Sequence, residues 1–308
     1  AGIGIALVPV DATNVEEAMR KADVALYRAK AERRSALRFF EPQMDVRIRE
    51  RAAMEAALRR ALDEERIDIV YRPAFDLRTH AVVGFEAAPR WIDPEHGEIP
   101  IERFLAIADE VGLIHALGER VLRLGCAAAG SWPASITLSI DIHASQLRDN
   151  LLAARILRIL GEAGIAPARL EVEVTESAFV ADLDNARAVL GNLRAAGVRI
   201  ALDNFGTGYS SLYHLRSFRL DKVKIDRSFV QAMTRERESA GIVQALVGLG
   251  HGLGLTIAAE GIEASDQEGA LLGTGCEQGQ GDLLGAPLDA AAAAALFEHR
   301  ISGSTTQA

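Results

Sequence analysis

Polar residues with metal- or phosphate-binding side chains stand at or just beyond the ends of a series of short apolar runs. These residues are Glu86, Asp141, Glu173, Asp203, Asn204, Lys224, Glu260 and Gln280. Charged side chains are costly in a core. The carboxyl ends of the strands in a (βα) barrel, in contrast, form the face on which active sites are built. We therefore expect these side chains to gather at one rim of such a barrel.

A rim of this kind favours divalent cations. Several carboxylates brought together repel one another unless cations lie between them. Oxygen ligands without a His and Cys cluster favour Mg²⁺ or Mn²⁺ over zinc. With Lys224 orienting water or balancing charge, the set suits metal-assisted attack of water on a phosphodiester. Each acid taken singly could equally be a solvated strand end or a helix cap, so only the set indicates function.

The apolar runs alternate with Ala/Leu-rich stretches that have helical spacing. The runs cover 67–71, 81–85, 136–142, 170–174, 199–202, 223–225 and 256–259. Repeated strand–helix units predict an α/β fold, with a parallel sheet closed into a TIM-like (βα)8 barrel. An open doubly wound sheet is the alternative. The apolar stretch 240–259 is interrupted by polar residues and glycines, so it predicts a buried helix that leads into a strand and no membrane segment.

The two ends of the chain differ from this pattern. Residues 2–10 predict one strand, and Asn14 with Glu17 predicts the start of a helix. The Arg-, Glu- and Ala-rich stretch after Glu41 predicts a charged linker helix, and Asp289 is expected to cap a last helix. The domain prediction is an N-terminal fragment over 1–40, the linker helix over 41–57, the barrel over 58–300 and a disordered tail over 301–308.

Composition limits the partners. The 308 residues carry a net charge of −9, which disfavours a nucleic acid polymer but allows a small phosphorylated ligand if cations are bound. Cys126 and Cys276 show no CxxC spacing, so a reducing, cytoplasmic location is expected. The chain begins at Ala1 rather than Met. We therefore expect upstream domains in a longer protein, which could be membrane-anchored there.

Eight ordered motifs between about Leu58 and Pro287 resemble the EAL family of cyclic-di-GMP phosphodiesterases. They are YRP at 71, GFEAAPRW at 84, LSIDIHASQL at 138, LEVEVTES at 170, ALDNFGTGYSSL at 201, KVKIDRSFV at 222, AAEGIE at 258 and GCEQGQG at 275. The resemblance implies a phosphodiesterase that linearises cyclic-di-GMP (c-di-GMP) to pGpG with Mg²⁺ or Mn²⁺. It also implies a homodimer, because the loop at Gly206–Tyr209 is linked to dimerisation in that family.

The resemblance implies a role for each matching residue. Glu86, Asp141, Glu173 and Asp203 would surround a first metal, and Asp203 would bridge to a second metal beside Asn204 and Glu260. The catalytic residues implied are Glu86, Lys224, which contacts water, and Glu260. Three further roles are Arg90 on a ligand phosphate, Gln280 in the ligand site and Glu176 steadying the loop after Asp203.

Four positions depart from the family pattern. Arg72 replaces a glutamine, Ala88 replaces the leucine of the EAL motif, Asp141 replaces an asparagine and Asn204 replaces an aspartate. Asn204 should bind the second metal more weakly and reduce turnover, while Asp141 restores the count of formal charges. Ala88 could loosen Glu86. Arg72 could bind phosphate, stack on guanine, or be an exposed arginine at a strand end.

The first segment resembles the end of a GGDEF diguanylate cyclase domain, through GIGIALVP at Gly2 and ADVALYRAK at Ala22. The catalytic half of such a domain is absent, so this fragment is expected to be an inert relic or scaffold, with sensory or GGDEF domains upstream. Three hypotheses follow for the whole chain: a c-di-GMP phosphodiesterase of impaired activity, a degenerate EAL receptor for c-di-GMP, and a scaffold that binds no nucleotide.

Overall fold

The computed structural model describes residues 1–31, 36–206 and 218–302. The strands are β1 (Gly2–Ile5), β2 (Ala36–Phe39), β3 (Ile67–Asp76), β4 (Val82–Asp93), β5 (Gly97–Ile99), β6 (Thr137–Asp141), β7 (Leu170–Thr175), β8 (Arg199–Phe205), β9 (Lys222–Ile225), β10 (Thr256–Ala259) and β11 (Gln278–Gly279). The α-helices described are α1 (Val15–Ala31), α2 (Pro42–Asp63), α3 (Ile101–Glu110), α4 (Ile114–Ala129), α5 (Leu152–Ala163), α6 (Glu176–Ala181), α7 (Leu183–Ala195), α8 (Arg227–Ala232), α9 (Arg237–Gly252), α10 (Ser265–Thr274) and α11 (Ala290–Ser302).

Eight strands close into a barrel, which confirms the predicted TIM-like fold and excludes the open sheet. The closed order is β3, β4, β6, β7, β8, β9, β10 and β11, with β11 returning to pair with β3. One correction concerns direction, because β3 runs antiparallel to both β4 and β11 rather than parallel. Only residues 77–81 connect β3 to β4, and a parallel neighbour needs a crossover of about a dozen residues or more.

The strand bounds also differ from the prediction around β4. This strand was predicted to end at Phe85, but it continues to Asp93 because its second half pairs with β3 on one side and with β5 on the other. Glu86 therefore lies inside a strand rather than just beyond one. The short strands β5 and β11 were not predicted, since neither has an apolar run long enough to stand out.

Buried aromatic side chains hold the first strands of the barrel against its helices. The ring centroid of Tyr71 lies 5.4 Å from that of Trp132, which in turn lies 4.7 Å from that of Phe85. The Tyr71 hydroxyl donates to the carbonyl of Leu124 in α4 at 3.2 Å. Side chains alternate along a strand, so with Tyr71 anchored outward, Arg72 points into the barrel.

The N-terminal segment is a small β–α–β unit. Strands β1 and β2 are parallel, with Gly2 opposite Ala36, whereas one strand running to Val10 had been predicted. The predicted helix start is confirmed, because Oδ1 of Asn14 accepts a hydrogen bond from the backbone N–H of Glu17 at 2.9 Å. A Cβ at Gly4 would lie 2.1 Å from the carbonyl oxygen of Ala22, so only glycine lets α1 pack on β1.

Helix α2 joins this unit to the barrel. Met44 near its start packs with Ala25 and Phe40 of the N-terminal unit. Met54 and Leu58, in its second half, belong to the main core. The helix predicted after Glu41 is therefore present, and it runs from Pro42 to Asp63, beyond the expected end at residue 57.

The remaining expectations concern the later helices. The stretch 240–259 forms most of α9 followed by β10, as predicted. Within the described ranges, no helix has both the length and the apolar character needed to cross a bilayer. Oδ1 of Asp289 accepts from the N–H of Ala292 at 2.8 Å, which confirms the cap of α11. The predicted disordered tail, 301–308, starts inside this helix, and 303–308 lie outside the described residues.

Candidate active site at the mouth of the barrel

The alternation of strand side chains places two layers of polar groups inside the barrel. Glu171 and Glu173 share the inner face of β7, and Lys222 and Lys224 share the inner face of β9. The layer containing Glu173 and Lys224 lies at the carboxyl ends of the strands, where the register pairs Asp141 with Glu173. This upper layer is the candidate site.

Lys224 is the centre of the upper layer. Its Nζ lies 2.5 Å from Oε2 of Glu173, 2.5 Å from Oε1 of Glu260 and 3.0 Å from Oε2 of Glu86. Oδ1 of Asp203 is 3.8 Å away. Burial alone would lower the pKa of Lys224, but the surrounding carboxylates raise it well above its ordinary value. Lys224 is therefore a buried, permanently charged cation.

Glu86 receives more donors than the other acids. Nη1 of Arg72 lies 3.1 Å from its Oε1, while Lys224 at 3.0 Å and Nε2 of Gln280 at 2.6 Å both donate to its Oε2. Burial alone would raise the pKa of Glu86, but the charges of Lys224 and Arg72, with the Gln280 hydrogen bond, lower it to about 2. Glu86 therefore stays ionised at any physiological pH.

The other acids hold their protons more tightly. Burial raises the pKa of Glu173 to about 7, that of Glu260 to about 7 and that of Asp203 to about 6, against the opposing charge of Lys224. Enclosure by the barrel rim and the charges of Glu86 and Glu173 also raise the pKa of Asp141, although its side chain keeps contact with solvent. One lysine therefore does not balance the negative charge of this layer.

The carboxylates form two overlapping groups with the spacing of cation ligands. One is Glu86, Glu173 and Glu260, and the other is Asp141, Glu173 and Asp203, with the ligand atoms of each group within 4.8 Å of one another. Nζ of Lys224 lies among the first group. In the second group, Oδ1 of Asp203 is buried and accepts no hydrogen bond within the described ranges. Hard oxygen donors with an unsatisfied buried carboxylate oxygen fit a divalent cation such as Mg²⁺ or Mn²⁺.

Asn204 occupies an irregular point of β8. The pairing with β9 slips between Leu202 and Phe205, and Asn204 has a φ of +55°, a conformation that asparagine tolerates better than most residues. Its amide Nδ2 donates to Oδ2 of Asp203 at 2.8 Å. The amide therefore binds the neighbouring carboxylate that an aspartate at 204 would repel.

Two of the predicted residues lie outside this cluster of carboxylates. Glu176 begins α6, and its Oε1 accepts from the N–H of Gly206 at 3.3 Å, at the start of the loop after Asp203. Residues 207–217 lie outside the described ranges, so the rest of the predicted Gly206–Tyr209 loop has no structural account. Arg90 lies four residues beyond Glu86 on β4, about 13 Å along the strand, and pairs with both carboxylate oxygens of Glu98 at 3.0 and 2.9 Å.

The site opens into a cleft large enough for a small ligand. The cleft has a volume of about 600 Å³, and a second, mainly apolar cavity of about 390 Å³ adjoins it. The two share Asp141, Asp203 and Asn204. The cleft is also bordered by Arg72, Glu86, Glu260 and Gln280. Ala88, two residues beyond Glu86 on β4, is buried at 2% exposure and does not line the cleft.

The lower polar layer was not anticipated. Nζ of Lys222 lies 2.6 Å from Oε1 of Glu171, and the hydroxyl of Ser139 donates to the same oxygen at 3.1 Å. The period-2 pattern of LEVEV and KVKI contains the signal, because it places each pair of like charges on one face of its strand.

Comparison with known proteins identifies the family. The EAL domain family matches residues 55–287 of the chain. A bifunctional diguanylate cyclase/cyclic di-GMP phosphodiesterase, MucR of Pseudomonas aeruginosa, is 37% identical over 294 residues, which cover 94% of this chain and 43% of MucR. An uncharacterised signalling protein of Caulobacter vibrioides is 41% identical over 292 residues, which cover 94% of this chain and 36% of that protein.

The solved structures agree with the family match. The PaMucR phosphodiesterase in complex with c-di-GMP superposes with a TM-score of 0.75 at 36% identity, covering 78% of this chain and all but 1% of that one. The chain described here belongs to the EAL domain family. It spans about two fifths of the length of the two curated relatives.

Proposed function

We propose that the chain hydrolyses c-di-GMP to linear pGpG at the mouth of its barrel, with Mg²⁺ or Mn²⁺ as cofactor. The observation that carries the proposal is the upper layer itself, in which one buried lysine faces four buried or half-buried acids beside an open cleft. Such an excess of carboxylates over cations is unfavourable unless a ligand or ion completes it. The kinship with MucR, which is a cyclic di-GMP phosphodiesterase, supports this substrate.

In this proposal the acids would hold the cations. Glu86, Asp141, Glu173 and Asp203 would hold a first cation, and Asp203, Asn204 and Glu260 would contribute to a second, which fits the close spacing of the carboxylates. When bound, a divalent cation supplies charge that polarises a phosphoryl oxygen and lowers the pKa of bound water.

The chain's own residues would do the remaining work. Glu260 borders the cleft, where its carboxylate would accept a proton from the attacking water. Lys224 would fix the positions of Glu86, Glu173 and Glu260. Attack of water on one phosphorus and departure of its ester oxygen as a hydroxyl would open the ring and leave pGpG.

Turnover is expected to be weak. An amide at position 204 offers a neutral oxygen, so it attracts a cation less than a carboxylate would. The hydrogen bond from Asn204 to Asp203 also engages an oxygen that a bridging ligand would need. These same features favour the alternative function, a receptor that binds c-di-GMP without cleaving it. Arg90 and Arg72 are proposed contacts to the nucleotide, and Glu176 is proposed to steady the loop after Asp203.

The N-terminal unit is proposed to be the end of a GGDEF domain. One face of its two-stranded sheet packs on α1, while Ile3, Leu37 and Phe39 are each about half exposed. An apolar face of this kind suggests that further structure covers it in a longer protein. A homodimer and a cytoplasmic location also remain proposals.

The test of the proposed function is product formation. The purified chain is mixed with c-di-GMP and Mg²⁺ or Mn²⁺, and pGpG is followed by chromatography, beside Asn204→Asp and Glu86→Ala variants. The phosphodiesterase proposal predicts pGpG from wild type, more from Asn204→Asp and none from Glu86→Ala. Wild type that retains bound, intact c-di-GMP while Asn204→Asp cleaves it would establish the receptor instead.

A further inference from the structure

Arg72 and Glu86 are partners across the first two strands of the barrel. The antiparallel register of β3 and β4 places them directly opposite each other. Nη1 of Arg72 lies 3.1 Å from Oε1 of Glu86, and the other oxygen of that carboxylate already accepts from Lys224 and Gln280. Both oxygens of a candidate metal ligand are therefore engaged by donors, and two of the three donors are cations.

The two cations differ in how firmly they are held. Lys224 is 4% exposed and pairs with Glu86, Glu173 and Glu260 at once, so moving it would leave several buried charges without a partner. The Arg72 side chain is 45% exposed and borders the open cleft. Its guanidinium can leave Glu86 and remain in water, and the buried carboxylate would keep Lys224 and Gln280 as donors. Arg72 is therefore the exchangeable cation.

We propose that Arg72 is a positioning residue that competes with a divalent cation for Glu86 and releases Glu86 when a nucleotide phosphate binds in the cleft. A divalent cation bound to Glu86 would lie close to the Arg72 guanidinium, which already occupies Oε1, and the two like charges would repel each other. A guanidinium also binds phosphate oxygens through two parallel hydrogen bonds, so a phosphate is a better partner than one carboxylate oxygen. The inference rests on the proposed function, since it assumes the cation site and the phosphodiester ligand.

The consequence is a reciprocal coupling of the two ligands. Without nucleotide, Arg72 weakens cation binding; with a phosphate bound, it no longer does. Thermodynamic linkage then requires the cation to strengthen nucleotide binding by the same factor. The arginine at position 72 thus makes cation loading depend on substrate, which the uncharged glutamine expected from the family pattern would not do.

Calorimetry with Mn²⁺ tests the coupling directly. Mn²⁺ is titrated into wild type, Arg72→Gln, Arg72→Lys and the control Arg123→Gln, each with and without a hydrolysis-resistant phosphorothioate analogue of c-di-GMP. Arg123 is a half-exposed arginine on α4 that pairs with Glu162 at 2.8 Å, so its replacement controls for loss of one surface charge.

Without the analogue, Arg72→Gln is expected to bind Mn²⁺ about tenfold more tightly than wild type, within the usual range of coupling between sites. Arg72→Lys keeps the charge and should stay within about threefold of wild type, as should Arg123→Gln. With saturating analogue, the difference between wild type and Arg72→Gln should vanish. Wild type and Arg123→Gln should both show at least about fivefold tighter Mn²⁺ binding with the analogue than without it, whereas Arg72→Gln should not.

The possible failures are distinct. Equal or weaker Mn²⁺ binding by Arg72→Gln in the absence of the analogue, with wild type binding Mn²⁺ measurably, would overturn the role of Arg72 and leave the proposed function intact. Mn²⁺ binding by neither protein, with or without the analogue, would overturn both. The comparison of wild type with and without analogue needs no variant, so a variant that folds poorly does not remove the test.

Discussion

The barrel interior contains lysine–carboxylate pairs in two layers, which lie two residues apart along β7 and β9. In the lower layer, Lys222 meets one carboxylate, Glu171, which Ser139 also satisfies. In the upper layer, Lys224 meets several carboxylates, and Oδ1 of Asp203 accepts no hydrogen bond within the described part of the chain. The charges of the lower layer balance within the protein, whereas the acidic excess of the upper layer favours the binding of a further cation. Charge balance, rather than the mere presence of buried charge, therefore distinguishes the candidate site from the lower layer.

The largest expected effect is on the rate of pGpG formation, and it should differ between the lysines of the two layers. Lys224→Met should lower the rate of pGpG formation by about 10²–10³-fold, because the cation that positions Glu86, Glu173 and Glu260 is lost. Lys222→Met should leave the rate per folded molecule within a few-fold of wild type. Steady-state assays on protein shown to be folded by circular dichroism measure both. Equal losses of rate in the two variants would break the distinction between the layers.

Stability should show the opposite pattern for the lower layer. Lys222→Met leaves Glu171 buried without its cation, so the free energy of unfolding should fall by about 3–5 kcal/mol. The double variant Lys222→Met, Glu171→Leu removes both charges and should recover most of that loss. Urea unfolding of the three proteins gives the comparison. A double variant as unstable as Lys222→Met would show that the loss of stability does not come from the unpaired charge of Glu171.

A smaller effect is expected from pH. The folded-state pKa values of about 6 for Asp203 and about 7 for Glu173 and Glu260 lie above the ordinary values near 4 of the unfolded chain. The folded state therefore binds these protons more tightly, and stability is lost as pH rises from about 4.5 to 7. In EDTA, the free energy of unfolding should fall across that window by at least the ~3 kcal/mol that a rise of about two pH units in the pKa of a single carboxyl represents.

Manganese supplies the control for the pH effect. Because a bound cation favours the ionised acids, Mn²⁺ should raise the melting temperature more at pH 8 than at pH 5.5. The lysine of the upper layer stays charged throughout this range, so it does not contribute to the change. If the metal-free protein were equally stable at both pH values, the claim that excess negative charge in the upper layer destabilises the fold would be wrong.

The sequence predicts which residues form the upper layer. It does not predict the hydrogen bonds and ion pairs among them. Strand alternation and the barrel pattern were enough to expect the acids and Lys224 at one rim, because those rules depend only on spacing. They do not specify which donor reaches which oxygen, so the contact between Arg72 and Glu86 and the Asn204 hydrogen bond to Asp203 came only from the structure. The antiparallel direction of β3 was not predicted for another reason. The repeated strand–helix pattern predicts parallel strands throughout, and the β3–β4 hairpin is a single exception to it.

Anomalous scattering at the manganese edge, from crystals grown with Mn²⁺, tests the central claim most directly. The account predicts a peak bounded by Asp141, Glu173 and Asp203 in the upper layer, and none between Glu171 and Lys222 in the lower one. Crystals of a well-folded chain without a peak at those three acids would contradict the claim that the acidic excess of the upper layer exists to hold a cation.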